Sequence, residues 1–406
     1  MNTSDLKVLG FPAHLGRWLL IPAGMMILLC LGSVYSWSIF RKPLEEELNI
    51  TATASLLPYT IALLFYAILM PIAGFYVQKI GSRIMTAIGA VIVGLGYIMA
   101  SFAPNVGMIT LAYGVIAGSG VGIAYGVPMA VVAKWFPDKK GLAVGLTIVG
   151  FGLSPLVTAP LANWLINLYS VRKTLRILGI AFTIIILLLA TTLKMPPVSW
   201  NPLKDNNGGN VTAVKSYPVT MVKSRAFYGL WICYAIGALV GLSAIGISSP
   251  VGEEIINIEA NVAAFSVSLF AFFNGISRPL FGWLCDRFAP RYIAMTSYTL
   301  IIIASILMIS AKSGQITTYL IAFSIFWFCL GGWLAMAPTI TLRFFNPDNY
   351  AQNYGIVFTA YGIGALVGTL SVGQLRDWFG SYTYGFYPMV ILAGIGIFVA
   401  QKMLKE

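Results

Sequence analysis

The stretch Phe270-Ala-Phe-Phe-Asn274-Gly-Ile-Ser-Arg278-Pro279-Leu-Phe281-Gly282-Trp-Leu-Cys285-Asp286-Arg287 sets an arginine inside an apolar run long enough to cross a bilayer. Arg278 reads as the one ionisable residue within any such run. A mid-helix arginine in lipid costs about 2.5–3.5 kcal/mol on insertion scales, so its helix should turn this side chain toward a cavity. The rest of the chain has the same character. Of its 406 residues 58% are hydrophobic and only 9% charged, with a mean hydropathy of +0.85. A soluble globular core does not account for such a composition, and a polytopic helical protein in the lipid bilayer does.

Apolar runs separated by turn and charge signals fall at about 18–40, 58–77, 83–103, 107–131, 141–168, 176–195, 226–248, 262–284, 292–311, 316–340, 352–374 and 383–402. They predict an all-α integral membrane protein of twelve transmembrane helices. The longest polar segment, Pro196 to Lys223, is rich in Pro, Gly and Lys and reads as a flexible linker. It divides the chain into a bundle over 1–195, a linker over 196–225 and a bundle over 226–406. The short polar segment Met1 to Arg17 runs directly into the first span, so no cleavable signal peptide is needed.

Lysines and arginines in short loops mark the cytoplasmic side. The termini and even-numbered loops carry 17 of them and the opposite face seven, among them Arg41 and Lys42. Both termini are therefore expected in the cytoplasm, with the chain multi-pass in the cell (inner or plasma) membrane. Topology accounts for the basic balance, and no nucleic-acid patch is needed. Cys30, Cys233, Cys285 and Cys329 fall in different helices or at a helix end and read as unpaired packing thiols.

An internal repeat supports the division. Gly74-x-x-x-Gln78-Lys79-x-Gly81-x-Arg83 after the second span matches Gly282-x-x-x-Asp286-Arg287-x-Ala289-x-Arg291 after the eighth, 208 residues later. Lys134-Trp-Phe136-Pro137 with Gly145 and Gly152 matches Arg343-Phe-Phe345-Asn-Pro347 with Gly355 and Gly362. Two homologous six-helix bundles facing each other across a central cavity follow. The Gly74 and Gly282 loops resemble the motif joining the second and third helices of each half in the major facilitator superfamily. Gly32-Ser-Val-Tyr35-Ser-Trp37-Ser, Lys134-Trp-Phe-Pro-Asp-Lys-Lys-Gly141, Asn274-x-x-x-Arg278-Pro279 and Asn353-Tyr-Gly355 resemble its oxalate/formate antiporter branch and the related monocarboxylate transporters. The resemblance implies the major facilitator fold and a gating role for Gly74, Arg83, Gly282, Asp286 and Arg287.

The site chemistry is read from the charge. No Asp or Glu is expected in any span to neutralise Arg278, and Asp286 lies about 12 Å further along the helix. A guanidinium fork matches a carboxylate in a bidentate geometry, so an organic anion is the expected occupant. The alternative is that Arg278 snorkels to the interface. Asn274, one turn earlier on the same face, can bind a carboxylate or orient the guanidinium. Pro279 removes a helical hydrogen bond and should kink the helix. Tyr35 can donate to a carboxylate or simply pack between helices.

Tyr125 follows Gly114-x-x-x-Gly118-x-Gly120-x-Gly122, glycines that read as close-packing positions. Similar transporters place a substrate tyrosine there, which the resemblance carries to Tyr125. Phe358 and Tyr361 lie one turn apart. The resembling oxalate carrier has a lysine where Tyr361 stands, and one cation with aromatic walls suits one carboxylate rather than two. Phe151, the repeat counterpart of Tyr361, lines the opposite wall or packs in the core. Gly150-Phe-Gly152-Leu-Ser-Pro155 reads as a pliable part of the fifth helix.

These features predict a secondary transporter of small organic monocarboxylates of the lactate, pyruvate or formate type, acting by alternating access. An oxalate/formate-type anion exchanger is the alternative within transport, and a carboxylate sensor the alternative outside it. No nucleophile, metal cluster or cofactor site is expected, so the chain is not read as an enzyme. The partners expected are the anion, possible co-transport of a proton, and lipid; a monomer is expected. Symport and exchange stay open.

Overall fold

A computed structural model gives the structure of residues 6–137, 139–197, 200, 218–345 and 350–404, with the side chains of 78, 140–141, 218–220, 286 and 350–352 outside the description. Among the described residues twelve helices are long and apolar enough to cross a membrane. They are α1 (Ala13–Leu48), α2 (Ala52–Ile80), α3 (Ser82–Phe102), α4 (Val106–Trp135), α5 (Lys140–Leu168) and α6 (Val171–Ala190). The second set is α7 (Arg225–Glu254), α8 (Ala260–Arg287), α9 (Pro290–Ser310), α10 (Ile316–Phe344), α11 (Tyr350–Phe379) and α12 (Phe386–Met403). Of the linker expected over 196–225, residues 198–199 and 201–217 lie outside the described ones.

Local sequence sets the helix ends. The side chains of Thr51, Asn105, Ser170 and Ser224 accept from backbone N–H groups three residues on, satisfying donors the first turn leaves free. Gly81, at φ +94°, makes the turn from α2 to α3 that a residue with a Cβ rarely adopts. Two helices depart from regular α geometry: α1 tightens to a 3-10 turn over Gly32–Ser36, and α4 widens to a π segment over Thr110–Ala117.

The twelve helices form two bundles, α1–α6 and α7–α12. Their seams are α2 along α11 and α5 along α8. α6 and α12 turn large apolar side chains outward, as Leu188 (66% exposed) and Ile391 (65% exposed) show; in a bilayer these meet lipid. The α4 glycines do pack closely. A Cβ at Gly114, Gly118 or Gly122 would strike Ile61, Ala62 or Leu69 of α2, and one at Gly120 would strike Val93 of α3. Cys30, Cys233 and Cys329 are free and buried, as expected, and Cys285 is buried as well.

Three expectations are corrected. Arg278 is not the sole buried cation. Arg41, assigned to a loop, is 0% exposed within α1. Its fork donates to Ser55 Oγ, Glu45 Oε1, the carbonyls of Ala52 and Gly246, and Tyr382 Oη. Nor are the helices free of acids: Glu45, Glu253 and Glu254 lie within α1 and α7 near their ends. These charges are buried by contact between the bundles, which a search for apolar runs does not register. Finally, Gly74 and Gly282 lie inside α2 and α8, not in loops. α8 runs without interruption through Pro279.

Candidate functional site

Arg278 is 3% exposed and does not snorkel. Its Nη1 donates to the Ile148 carbonyl of α5 at 2.8 Å, and its Nη2 to Asn274 Oδ1 at 3.1 Å. Asn274 Nδ2 donates in turn to the Trp327 carbonyl at 2.8 Å, which fixes the amide so that its oxygen faces the guanidinium. Arg278 Nε has no hydrogen-bond partner among the described residues. Among the described residues no carboxylate pairs with Arg278; the ion pairs join Arg41 to Glu45, Lys42 and Arg376 to Glu254, and Arg172 to Glu47. The side chain of Asp286 lies outside the described residues.

The fork fits because α5 offers it a glycine. An ideal Cβ on Gly152 would stand 2.8 Å from Asn274 Oδ1 and 3.0 Å from both Cζ and Nε of Arg278. The backbone of one bundle thereby abuts the charged group of the other. The sequence had marked Gly152 only as a repeat match and a pliable position.

Around the guanidinium the expected aromatic residues converge from both bundles. Tyr35 and Tyr361 share a hydrogen bond between hydroxyls at 2.8 Å. Phe151 sets its edge to Tyr35 and Tyr125, with centroids at 5.1 Å and 5.0 Å. Phe358 and Tyr361 stack at 4.9 Å and 13°. Tyr125 reaches Arg278. Three further residues complete the cluster: Tyr66 touches Tyr125, Phe151, Phe358 and Tyr361, Trp327 sets its edge to Tyr35, and Tyr234 borders Phe358 and Tyr361. Sequence reasoning missed all three, because a lone aromatic in an apolar helix carries no motif. This buried cluster brings one guanidinium, several hydroxyl donors and apolar rings together, the residue types that hold a small anion.

The repeat-motif residues stand apart from it. Gly74 and Gly282 have no neighbour within 4 Å of where a Cβ would lie. Arg83 is exposed at the start of α3, and Arg287 lies over the Trp283 ring at 4.4 Å. At the other end, where α1 meets α2 and α7 meets α8, the bundles are clasped by polar contacts. Lys42 meets Glu254 at 2.5 Å. Asp377 of α11 accepts from the Ala52 and Thr53 N–H groups of α2 at 3.1 Å and 3.0 Å. Between the clasp and the Arg278 cluster, Thr60 and Thr369 pair through their hydroxyls. No cluster of three or more metal-ligating side chains occurs among the described residues.

The oxalate:formate antiporter of Oxalobacter formigenes is 28% identical over 363 residues, covering 87% of this chain and 83% of that protein. Monocarboxylate transporter 13 of Bos taurus is 24% identical over 338 residues, covering 81% and 76%. A bacterial homolog of the human lysosomal transporter Spinster, in an inward-facing and unoccupied conformation, superposes with a TM-score of 0.74 at 15% identity over 96% of this chain and 98% of its own. The family model of the Major Facilitator Superfamily matches residues 11–255 and 230–406. Two bundles with matching motifs, seamed by α2 with α11 and α5 with α8, agree with that match, and the chain belongs to the Major Facilitator Superfamily.

Proposed function

We propose that this chain is a secondary transporter of small organic monocarboxylates, of the lactate, pyruvate or formate type, with the carboxylate bound by Arg278. One observation carries the reading: a buried guanidinium whose partners are neutral oxygens and whose Nε is unpartnered. A buried charge is stable when paired and fully hydrogen-bonded, and a carboxylate supplies both to a fork. Asn274 orients the guanidinium; Tyr35, Tyr125 and Tyr361 offer hydroxyls; Phe151 and Phe358 exclude water.

The placement of the contacts supports alternating access. The bundles, taken as 1–195 and 226–406 joined by 196–225, rock about the site, and the clasp at Lys42, Glu254 and Asp377 opens on one side only. With both termini in the cytoplasm of a cell membrane, that side is the outside. Gly74, Arg83, Gly282, Asp286 and Arg287 gate the other. A proton either travels with the substrate or is not involved, as in exchange of one anion for another.

An oxalate/formate exchange is the second reading, favoured by the similarity to the Oxalobacter formigenes antiporter. Tyr361 argues against it, since a fully buried tyrosine tied to Tyr35 supplies no second cation for a dicarboxylate. Purified protein in liposomes, given a panel of radiolabelled acids with and without a pH gradient, tests both. We expect monocarboxylate uptake with oxalate a poor competitor, and competition by oxalate rising in Tyr361→Lys. Oxalate uptake exceeding that of every monocarboxylate in the wild type sinks the first reading.

A further inference from the structure

The buried cluster around Arg278 contains a donor that the carboxylate reading leaves unused. Tyr234 of α7 is 0% exposed, and among the described residues its hydroxyl completes no hydrogen bond. Its ring lies 6.3 Å from Phe358 and 6.5 Å from Tyr361, so it borders the aromatic wall. It also lies close enough to Arg278, Tyr35 and Tyr125 to interact with them electrostatically, which puts it in the same cluster. Tyr354 comes within reach of that hydroxyl on the other side without completing a hydrogen bond of ordinary geometry.

The ring is held in place. Trp333 stacks on it at 6.4 Å and 23°, and the indole is seated against Gly237, where a Cβ would collide with it. Tyr298 backs the indole at 5.4 Å and donates its own hydroxyl to the Cys233 carbonyl. Trp333 Nε1 is a second buried donor without a partner.

A buried hydroxyl left unpaired is costly, and native proteins keep such groups where they serve a ligand. Phenylalanine would fill the same place without that cost, as Phe358 does one ring away. We infer that Tyr234, braced by Trp333, is the specificity-determining residue of this site, donating to an oxygen that the substrate carries beyond its carboxylate. The inference rests on the carboxylate reading, because Arg278 must first take both carboxylate oxygens. The acceptor is then a 2-oxo or 2-hydroxy oxygen. Formate, acetate and propionate offer none, and a second carboxylate would bring a second buried charge to a cluster with one guanidinium.

The test is Tyr234→Phe in proteoliposomes with pyruvate, lactate, acetate and propionate. Losing a hydrogen bond made only to the extra oxygen should raise KM for pyruvate and lactate by about tenfold. KM for acetate and propionate should not change, and thermal unfolding should occur no lower than in the wild type. An equal change for all four acids, or none for any, overturns the inference while leaving Arg278 as carboxylate ligand. Stabilisation of the unmodified protein by each acid gives a reading independent of the variant: pyruvate should raise the melting temperature more than propionate, and equal shifts count against Tyr234. A wild type that carries none of the four acids removes the carboxylate reading and this inference together.

Discussion

Arg278→Lys and Arg278→Gln will each reduce initial monocarboxylate uptake by about 100-fold or more, since a desolvated charge pair lost from a site costs about 2–5 kcal/mol. The two variants fail for different reasons. Glutamine removes the charge that attracts the anion. Lysine keeps the charge but has no planar fork, so it cannot meet a carboxylate and the Ile148 carbonyl together in the same geometry. Neither should unfold the protein. Arg278 pairs with no acid among the described residues, so its removal strands no buried carboxylate. Radiolabelled uptake, paired with a thermal melt of the purified variants, separates lost binding from lost fold; uptake near the wild-type rate in either variant would falsify the assignment.

Gly152→Ala carries the second large effect. One methyl group would stand 2.8 Å from Asn274 Oδ1 and 3.0 Å from the guanidinium carbon, closer than real Cβ atoms commonly approach. Either α5 withdraws from α8 or the fork is pushed off its orienting amide, and misplacing a binding group by about 1 Å can cost about 100-fold. Helix stability does not explain such a loss, because alanine favours a helix over glycine by about 1 kcal/mol. Gly145→Ala, on the same helix with open space around its Cβ position, is the control and should transport normally. Combining Gly152→Ala with Asn274→Ala removes the nearer clash, so the double variant should lose less than the product of the single losses. Strict multiplication of the two losses would mean that Gly152 acts on the fold and not through Arg278.

Much of this was legible in the sequence, and the reasons are specific. Twelve apolar runs, two repeated motifs and one arginine among Phe270, Phe281 and Trp283 led to the fold and to the central cation, because bilayer thickness and desolvation act on residue type alone. Asn274 was legible through helical spacing, and Phe358 with Tyr361 likewise. Arg41 was not, since its burial arises where α1 meets Gly246 of α7 and Tyr382, a contact with no local signature. Gly152 matters for what a side chain there would strike on another helix, and Tyr234 for a partner its hydroxyl lacks. Both are properties of tertiary placement, and no periodicity carries them.

The contact of Asp377 with α2 has a consequence for how opening could be watched. A helix in one bundle has two of its first-turn amides satisfied by a carboxylate in the other, with Ala52 N–H at 3.1 Å and Thr53 N–H at 3.0 Å. When the bundles part at that end, these two protons lose their acceptor together and face solvent. Their exchange with deuterium therefore keeps time with the opening itself, and a bound anion that slows or speeds the rocking motion should slow or speed those two amides with it. The carrier has, in effect, a clock at the end of α2 that runs without any attached probe.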